Sequence, residues 1–224
     1  MKSHVIVMLT HNDSTVKDSL KIFNECRDLS VQFWGFKDVG LPLPQMKELV
    51  AAMKSAGKTT FLEVVTLEEP DCMRGAKIAV ECGFDYLMGT VFYDSVFEYL
   101  RGRSTKFFPF CGKVHGHPSI LEGSVEEIVA DGKRLEAKGV AGIDILSYRH
   151  ATKPVEISRG LVRGLSIPVV IAGSIDSVER LKTVSELSPW AFTMGSALFD
   201  KRFVPDAPFR DQLSAVLDHM KALR

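Results

Sequence analysis

The 224 residues predict an α/β fold, a TIM (β/α)8 barrel forming one domain over positions 1–224. Three observations carry that expectation. Short apolar runs alternate with longer helix-like stretches from one end of the chain to the other. The runs lack the strict alternation of a half-exposed sheet, as expected of parallel strands covered on both faces. The turn after the first run, Thr10-His-Asn-Asp13, has no glycine-rich phosphate loop of the kind that opens a doubly wound sheet.

The expected strands are His4–Leu9, Val31–Phe36, Thr59–Val65, Tyr86–Gly89, Lys106–Cys111, Gly142–Leu146, Pro168–Ala172 and Ala191–Met194. Pro44–Ala56 sets Met46, Leu49, Val50 and Met53 on one face and stops at Gly57. Pro70–Cys82 opens on Pro and Asp and ends at Gly83. Ser124-Val-Glu-Glu127 reads as a capping box opening a helix that runs to Lys138 and stops at Gly139. Asp176-Ser-Val-Glu179 has the same form, with its cap at Ser174 or Asp176, and Phe209–Leu223 supplies the terminal helix. Val16–Cys26 and Asp94–Leu100 are weaker helical segments.

Composition narrows the partners. The 28 basic and 28 acidic side chains cancel, so no overall field draws in nucleic acid or an anionic membrane. Cys26, Cys72, Cys82 and Cys111 fit no zinc spacing and read as reduced thiols, which suits a cytoplasmic protein. The apolar run after Met1 is too short for an export signal and reads as a buried first strand, and no segment approaches a membrane span. A homo-oligomer is compatible with all of this, and no motif calls for a cofactor.

Two glycine-serine turns are the most informative motif. Ile167–Ser174 ends an apolar run at Gly173-Ser174, and Ala191–Phe199 does the same at Gly195-Ser196. In a barrel of this order they follow strands seven and eight, where the fold often holds phosphate at its C-terminal face. Glycine admits close approach of the backbone, and serine adds N–H and hydroxyl donors. Ordinary strand-to-helix turns are the bland account of either turn alone. The pair points to a phosphorylated small molecule.

Ile171–Leu181 together with Ala191–Phe203 resembles the C-terminal quarter of the ribulose-phosphate-binding barrels, nearest the histidine-biosynthesis isomerase and cyclase branch. That resemblance implies a phosphate held by Gly173, Ser174, Gly195 and Ser196. The branch carries aspartates at the ends of strands one and five. Here those segments end in Thr10-His11 and Cys111-Gly-Lys113, so the branch's acid–base pair is missing. The decarboxylase relatives' Asp-x-Lys-x-x-Asp pattern is also absent, with Glu63-Val-Val-Thr66 in its place. The N-acyl-aminosugar phosphate epimerases are a further relative.

Ionisable groups at the strand ends supply the candidate chemistry. Glu63 and Asp144 stand in otherwise apolar strands, where a charge requires a partner or a ligand. As catalytic groups, either would remove a proton beside a carbonyl or hemiacetal carbon, with Lys37 or Lys113 donating a proton or stabilising the oxyanion. As structural groups they would only pair with those lysines. His11, His115 and Arg149 are candidate substrate contacts. His115-Gly-His117 could reach one metal ion with Asp144 or His11, but two imidazoles do not define a site and a rigid non-metallic loop is the simpler reading.

The leading expectation is a phosphosugar isomerase or epimerase. The alternatives are a phosphometabolite-binding regulator without catalysis and a Schiff-base aldolase.

Overall fold

In the computed structural model, which describes residues 3–116 and 118–223, the chain forms an eight-stranded parallel sheet curled into a barrel and wrapped by helices. In chain order the elements are β1 His4–Met8, β2 Thr10–His11, β3 Ser14–Thr15, α1 Ser19–Cys26, β4 Phe33–Lys37, α2 Leu43–Ser55, β5 Thr59–Val64, α3 Glu69–Cys82, β6 Tyr86–Gly89, α4 Asp94–Leu100 and β7 Lys106–Phe108. The second half runs β8 Lys113–His115, β9 Ile120–Glu122, α5 Val125–Lys138, β10 Ile143–Ile145, a 3-10 turn Ser147–Arg149, α6 Pro154–Gly164, β11 Val169–Ile171, α7 Val178–Leu187, β12 Ala191–Met194, α8 Ser196–Phe199 and α9 Phe209–Ala222.

The barrel order is β10-β11-β12-β1-β4-β5-β6-β7. Its two ends meet through a parallel bridge between Phe110 and Asp144. The Asp144 N–H donates to the Pro109 carbonyl at 2.9 Å, and the Cys111 N–H donates to the Asp144 carbonyl at 3.0 Å. The eight expected strands are therefore all present. Strand five is shorter than expected, ending at Phe108, and two antiparallel hairpins, β2–β3 and β8–β9, stand above strands one and five.

Local sequence explains the helix limits. Ser124 and Glu127 close a reciprocal capping box at the start of α5, and Gly139 ends that helix in the left-handed conformation at φ +87°. At α7 the capping side chain is Ser177, which accepts from the Arg180 N–H; neither Ser174 nor Asp176 fills that role. The helix begins a few residues after the Gly173-Ser174 turn, leaving the turn free of it.

Two hydrophobic clusters divide the core. The larger lies between sheet and helices and includes Trp34, Phe36, Leu49, Met53, Leu62 and Leu87. The smaller fills the barrel with Ile6, Met8, Phe33, Phe61, Met88, Phe108, Val170 and Ala191. Side chains on a strand alternate between faces, so the inward row of β4 runs Phe33, Gly35, Lys37 and that of β5 runs Phe61, Glu63. Gly35 makes this packing feasible: a Cβ there would meet the Met8 sulfur at 2.7 Å and the Phe61 carbonyl at 2.9 Å. The same inward rows that begin in aromatic carbon end in charge.

Candidate active site at the C-terminal end of the barrel

Lys37 and Glu63 are register partners on adjacent strands, and both are buried. The Lys37 ammonium lies 3.7 Å from Glu63 Oε1 and donates to Asp13 Oδ1 at 2.7 Å. Asp13 reaches this position because Asn12 and Asp13 take left-handed conformations and fold β3 back on β2. The hairpin is pinned to β4 by Thr15, whose Oγ1 donates to the Lys37 carbonyl at 2.8 Å and accepts from the Lys37 N–H at 3.0 Å. Burial pulls the Lys37 pKa down, but the charge of Glu63 and the hydrogen bond and charge of Asp13 outweigh it, and the net direction is up. The amine is held as an ammonium.

Asp144 sits beneath this group with no solvent exposure. Its Oδ2 accepts from the Gly89 N–H at 3.1 Å, while its Oδ1 has no protein partner. Burial raises its pKa well above the carboxylate range, and the neighbouring Glu63 charge adds to the rise against the opposing Gly89 hydrogen bond and Lys37.

A cavity of about 210 Å³ joins these residues to the glycine-serine turns. Asp13, Lys37 and Glu63 form part of its wall, and Gly173, Ser174, Gly195 and Ser196 form another part. Gly173 (φ +79°) and Ser174 (φ +57°) are both left-handed. The Gly173 N–H donates to Thr193 Oγ1 at 3.3 Å, tying the two turns together. Gly195 has a packing reason of its own, since a Cβ there would meet the Thr10 carbonyl at 2.9 Å. Arg149 flanks the first turn: a Cβ at position 173 would lie 3.4 Å from its Nε.

The remaining sequence candidates fall outside that wall. His11 Nε2 is 2.9 Å from Asp200 Oδ1, its ring stacks on Phe199, and Asp200 lines the cavity. Lys113 and His115 stand on the β8–β9 hairpin, each 3.1 Å from a Glu122 oxygen. Lys113 lines a separate recess with Phe92, Asp131 and Arg134 and is not brought to Lys37 and Glu63. His117 lies outside the described residues, and among those described no group of three or more His, Cys, Asp or Glu side chains could hold a metal ion. Asp13 is the residue that sequence reasoning missed; the Asn12-Asp13 pair between short polar flanks was the available turn signal.

The sequence matches no protein-family model and no curated protein. Solved structures do resemble the fold. Orotidine 5'-phosphate decarboxylase from Pyrococcus horikoshii OT3 superposes with a TM-score of 0.69 at 14% identity, covering 97% of this chain and 99% of that one. The likeness is one of fold. N-acetylmannosamine-6-phosphate 2-epimerase from Clostridium perfringens gives 0.66 at 12% identity over 89% of this chain and 91% of that one. Tryptophan synthase from M. tuberculosis gives 0.67 at 12% identity over 99% and 92%. Among the described residues, no helix is long and apolar enough to cross a membrane.

Proposed function

We propose that this protein isomerises or epimerises a small phosphorylated sugar or related phosphometabolite. One observation carries the reading: a single cavity is bounded by both glycine-serine turns and by Lys37, Glu63 and Asp13. A substrate spanning it would leave its phosphate at Gly173, Ser174, Gly195 and Ser196, with Arg149 beside the first turn. Its carbonyl end would then meet the Lys37–Glu63 pair. The names of two structures of similar fold, a 5'-phosphate decarboxylase and a 6-phosphate 2-epimerase, agree with a phosphorylated substrate.

In this reading Glu63 removes the proton from the carbon beside the carbonyl, and the Lys37 ammonium stabilises the oxyanion that forms. Returning the proton to the neighbouring carbon, while the hydroxyl proton passes to the former carbonyl oxygen, gives isomerisation. Epimerisation needs a second donor to protonate the opposite face of the same carbon; water in the cavity would supply it, with Glu63 losing the abstracted proton to solvent. Asp13 holds Lys37 in place. Asp144 does not line the cavity and acts through Glu63, as a buried carboxyl that sets the charge beneath it. Schiff-base chemistry would need a neutral amine, which the upward direction at Lys37 disfavours.

A panel of aldose and ketose phosphates, scored for both turnover and thermal stabilisation, tests the reading. Turnover of at least one member is expected. Stabilisation without turnover across the panel would favour the binding regulator instead. A crystal structure with a bound panel member is expected to show its phosphate at the two turns, and density elsewhere would overturn the assignment.

A further inference from the structure

The cavity is lined by four carboxylates, Asp13, Glu63, Asp176 and Asp200, an unfavourable wall for an anion unless each is compensated. Asp13 and Glu63 share the single Lys37 ammonium, and Asp200 lies within hydrogen-bond reach of the His11 ring. Asp176 lies three residues beyond Gly173, on the very segment that would hold a phosphate. Its partner is Arg180, whose Nη1 lies 2.9 Å from Asp176 Oδ1 and also donates to the Ser174 carbonyl. The guanidinium is seated 5.2 Å from the Tyr148 ring centroid. Arg180 therefore reaches both Ser174 and Asp176 from the first turn of α7 without itself lining the cavity.

We propose that Arg180 is a positioning residue for anion binding, cancelling the Asp176 charge and fixing the Ser174 carbonyl so that the turn can accept a phosphorylated ligand. This inference rests on the phosphate assignment above. Ser174 is a non-glycine residue in the left-handed region, a conformation that persists only where its surroundings hold it. Arg180 supplies that hold through the Ser174 carbonyl. Lysine would keep the charge but could not reproduce the same two-point grip.

Calorimetric titration of the intact protein with inorganic phosphate at low chloride separates the alternatives. Arg180→Gln is expected to weaken binding about fivefold, a modest figure because the pair is partly exposed and screened by water. Asp176→Asn is expected to tighten it about threefold, since it leaves the arginine charge unopposed. The double variant should recover most but not all of that loss, since the Ser174 carbonyl stays unheld, and Arg180→Lys should fall between the wild type and Arg180→Gln. All these differences should shrink in about 1 M sodium chloride, where the Debye length falls to about 3 Å. Equal weakening in Arg180→Gln and in the double variant would overturn the charge role, as would unchanged affinity in Arg180→Gln. A wild-type protein that binds no phosphate would overturn the phosphate assignment itself, and all variants would then be silent alike.

Discussion

The two ends of the barrel are built on opposite principles. At the N-terminal end Trp190 stands at the centre of an aromatic plug, with ring centroids 5.2 Å from Phe33, 5.6 Å from Tyr86 and 5.5 Å from Phe108, while Phe61 stacks on Tyr86 at 4.6 Å. At the C-terminal end β4 and β5 carry Lys37 and Glu63, and β10 carries Asp144, all three buried. Buried oxygens without a protein hydrogen-bond partner gather there too: Thr10, Asp38, Thr66, Thr90 and Asp144 all lie at or just past a strand's C-terminal end. A folded core normally satisfies such groups. Local rules are broken chiefly where a site is built, and Thr10 among these groups lines the cavity, so the proposed division is an aromatic end for stability and a polar end for a ligand.

If that division is right, substitutions at the two ends should fail in different ways. The largest effect is expected from Glu63→Gln, which keeps the shape of the side chain but removes the base. Turnover of a panel substrate should fall by about a thousandfold, with phosphate affinity changed by less than about threefold. Parallel losses in both would show that Glu63 shapes the cavity and does no chemistry. Trp190→Ala should do the reverse. Losing the hub of the plug should destabilise the fold by about 3 kcal/mol in urea, while phosphate affinity below the melting transition stays unchanged. A plug variant that lost affinity first would break the comparison.

The division also explains what could be read from the sequence. The eight strands were legible because each apolar run is bounded by local signals that need no tertiary context, such as the Ser124 capping box and the stop at Gly139. Lys37 and Glu63 were legible because a charge inside an apolar run is conspicuous. Their partner Asp13 was not, because its place depends on a hairpin folding back onto a strand distant in sequence. Lys113 failed for the complementary reason. Strand five ends at Phe108, and Gly112, left-handed at φ +84°, turns the chain out of the barrel before Lys113 is reached. Packing of Leu121 and Ile128 around Gly112 fixes that turn, and linear spacing does not reveal it.

Asp38 offers a smaller test on the polar end. Burial raises its pKa to about 6, with Arg74 opposing the rise. A carboxyl that binds its proton more tightly when folded loses stability for the protein as pH climbs from about 4 to about 6, and the loss persists above that. Asp38→Asn removes the titration. It should stabilise the protein by about 2 kcal/mol at pH 7.5 and by little at pH 4.5. Urea midpoints at the two pH values decide it, and a gain independent of pH would show that desolvation of the carboxylate is not the cause.

Asp144→Asn should have the mildest effect on chemistry and the most instructive pH dependence. Its pKa is raised in the folded protein, so the sign is the same as for Asp38: the wild type loses stability as pH rises from the unfolded carboxyl value toward the folded one. The carboxamide cannot ionise, and it can still accept the Gly89 hydrogen bond. The variant's stability should therefore decline less than the wild type's as pH rises above the ordinary carboxyl range. Turnover should fall by no more than about tenfold, because Asp144 does not line the cavity and the carboxamide keeps the Gly89 hydrogen bond. A loss of turnover as deep as that of Glu63→Gln would mean that Asp144 exchanges a proton with the substrate, and the boundary between the buried floor and the reacting wall would have to be moved down by one layer of side chains.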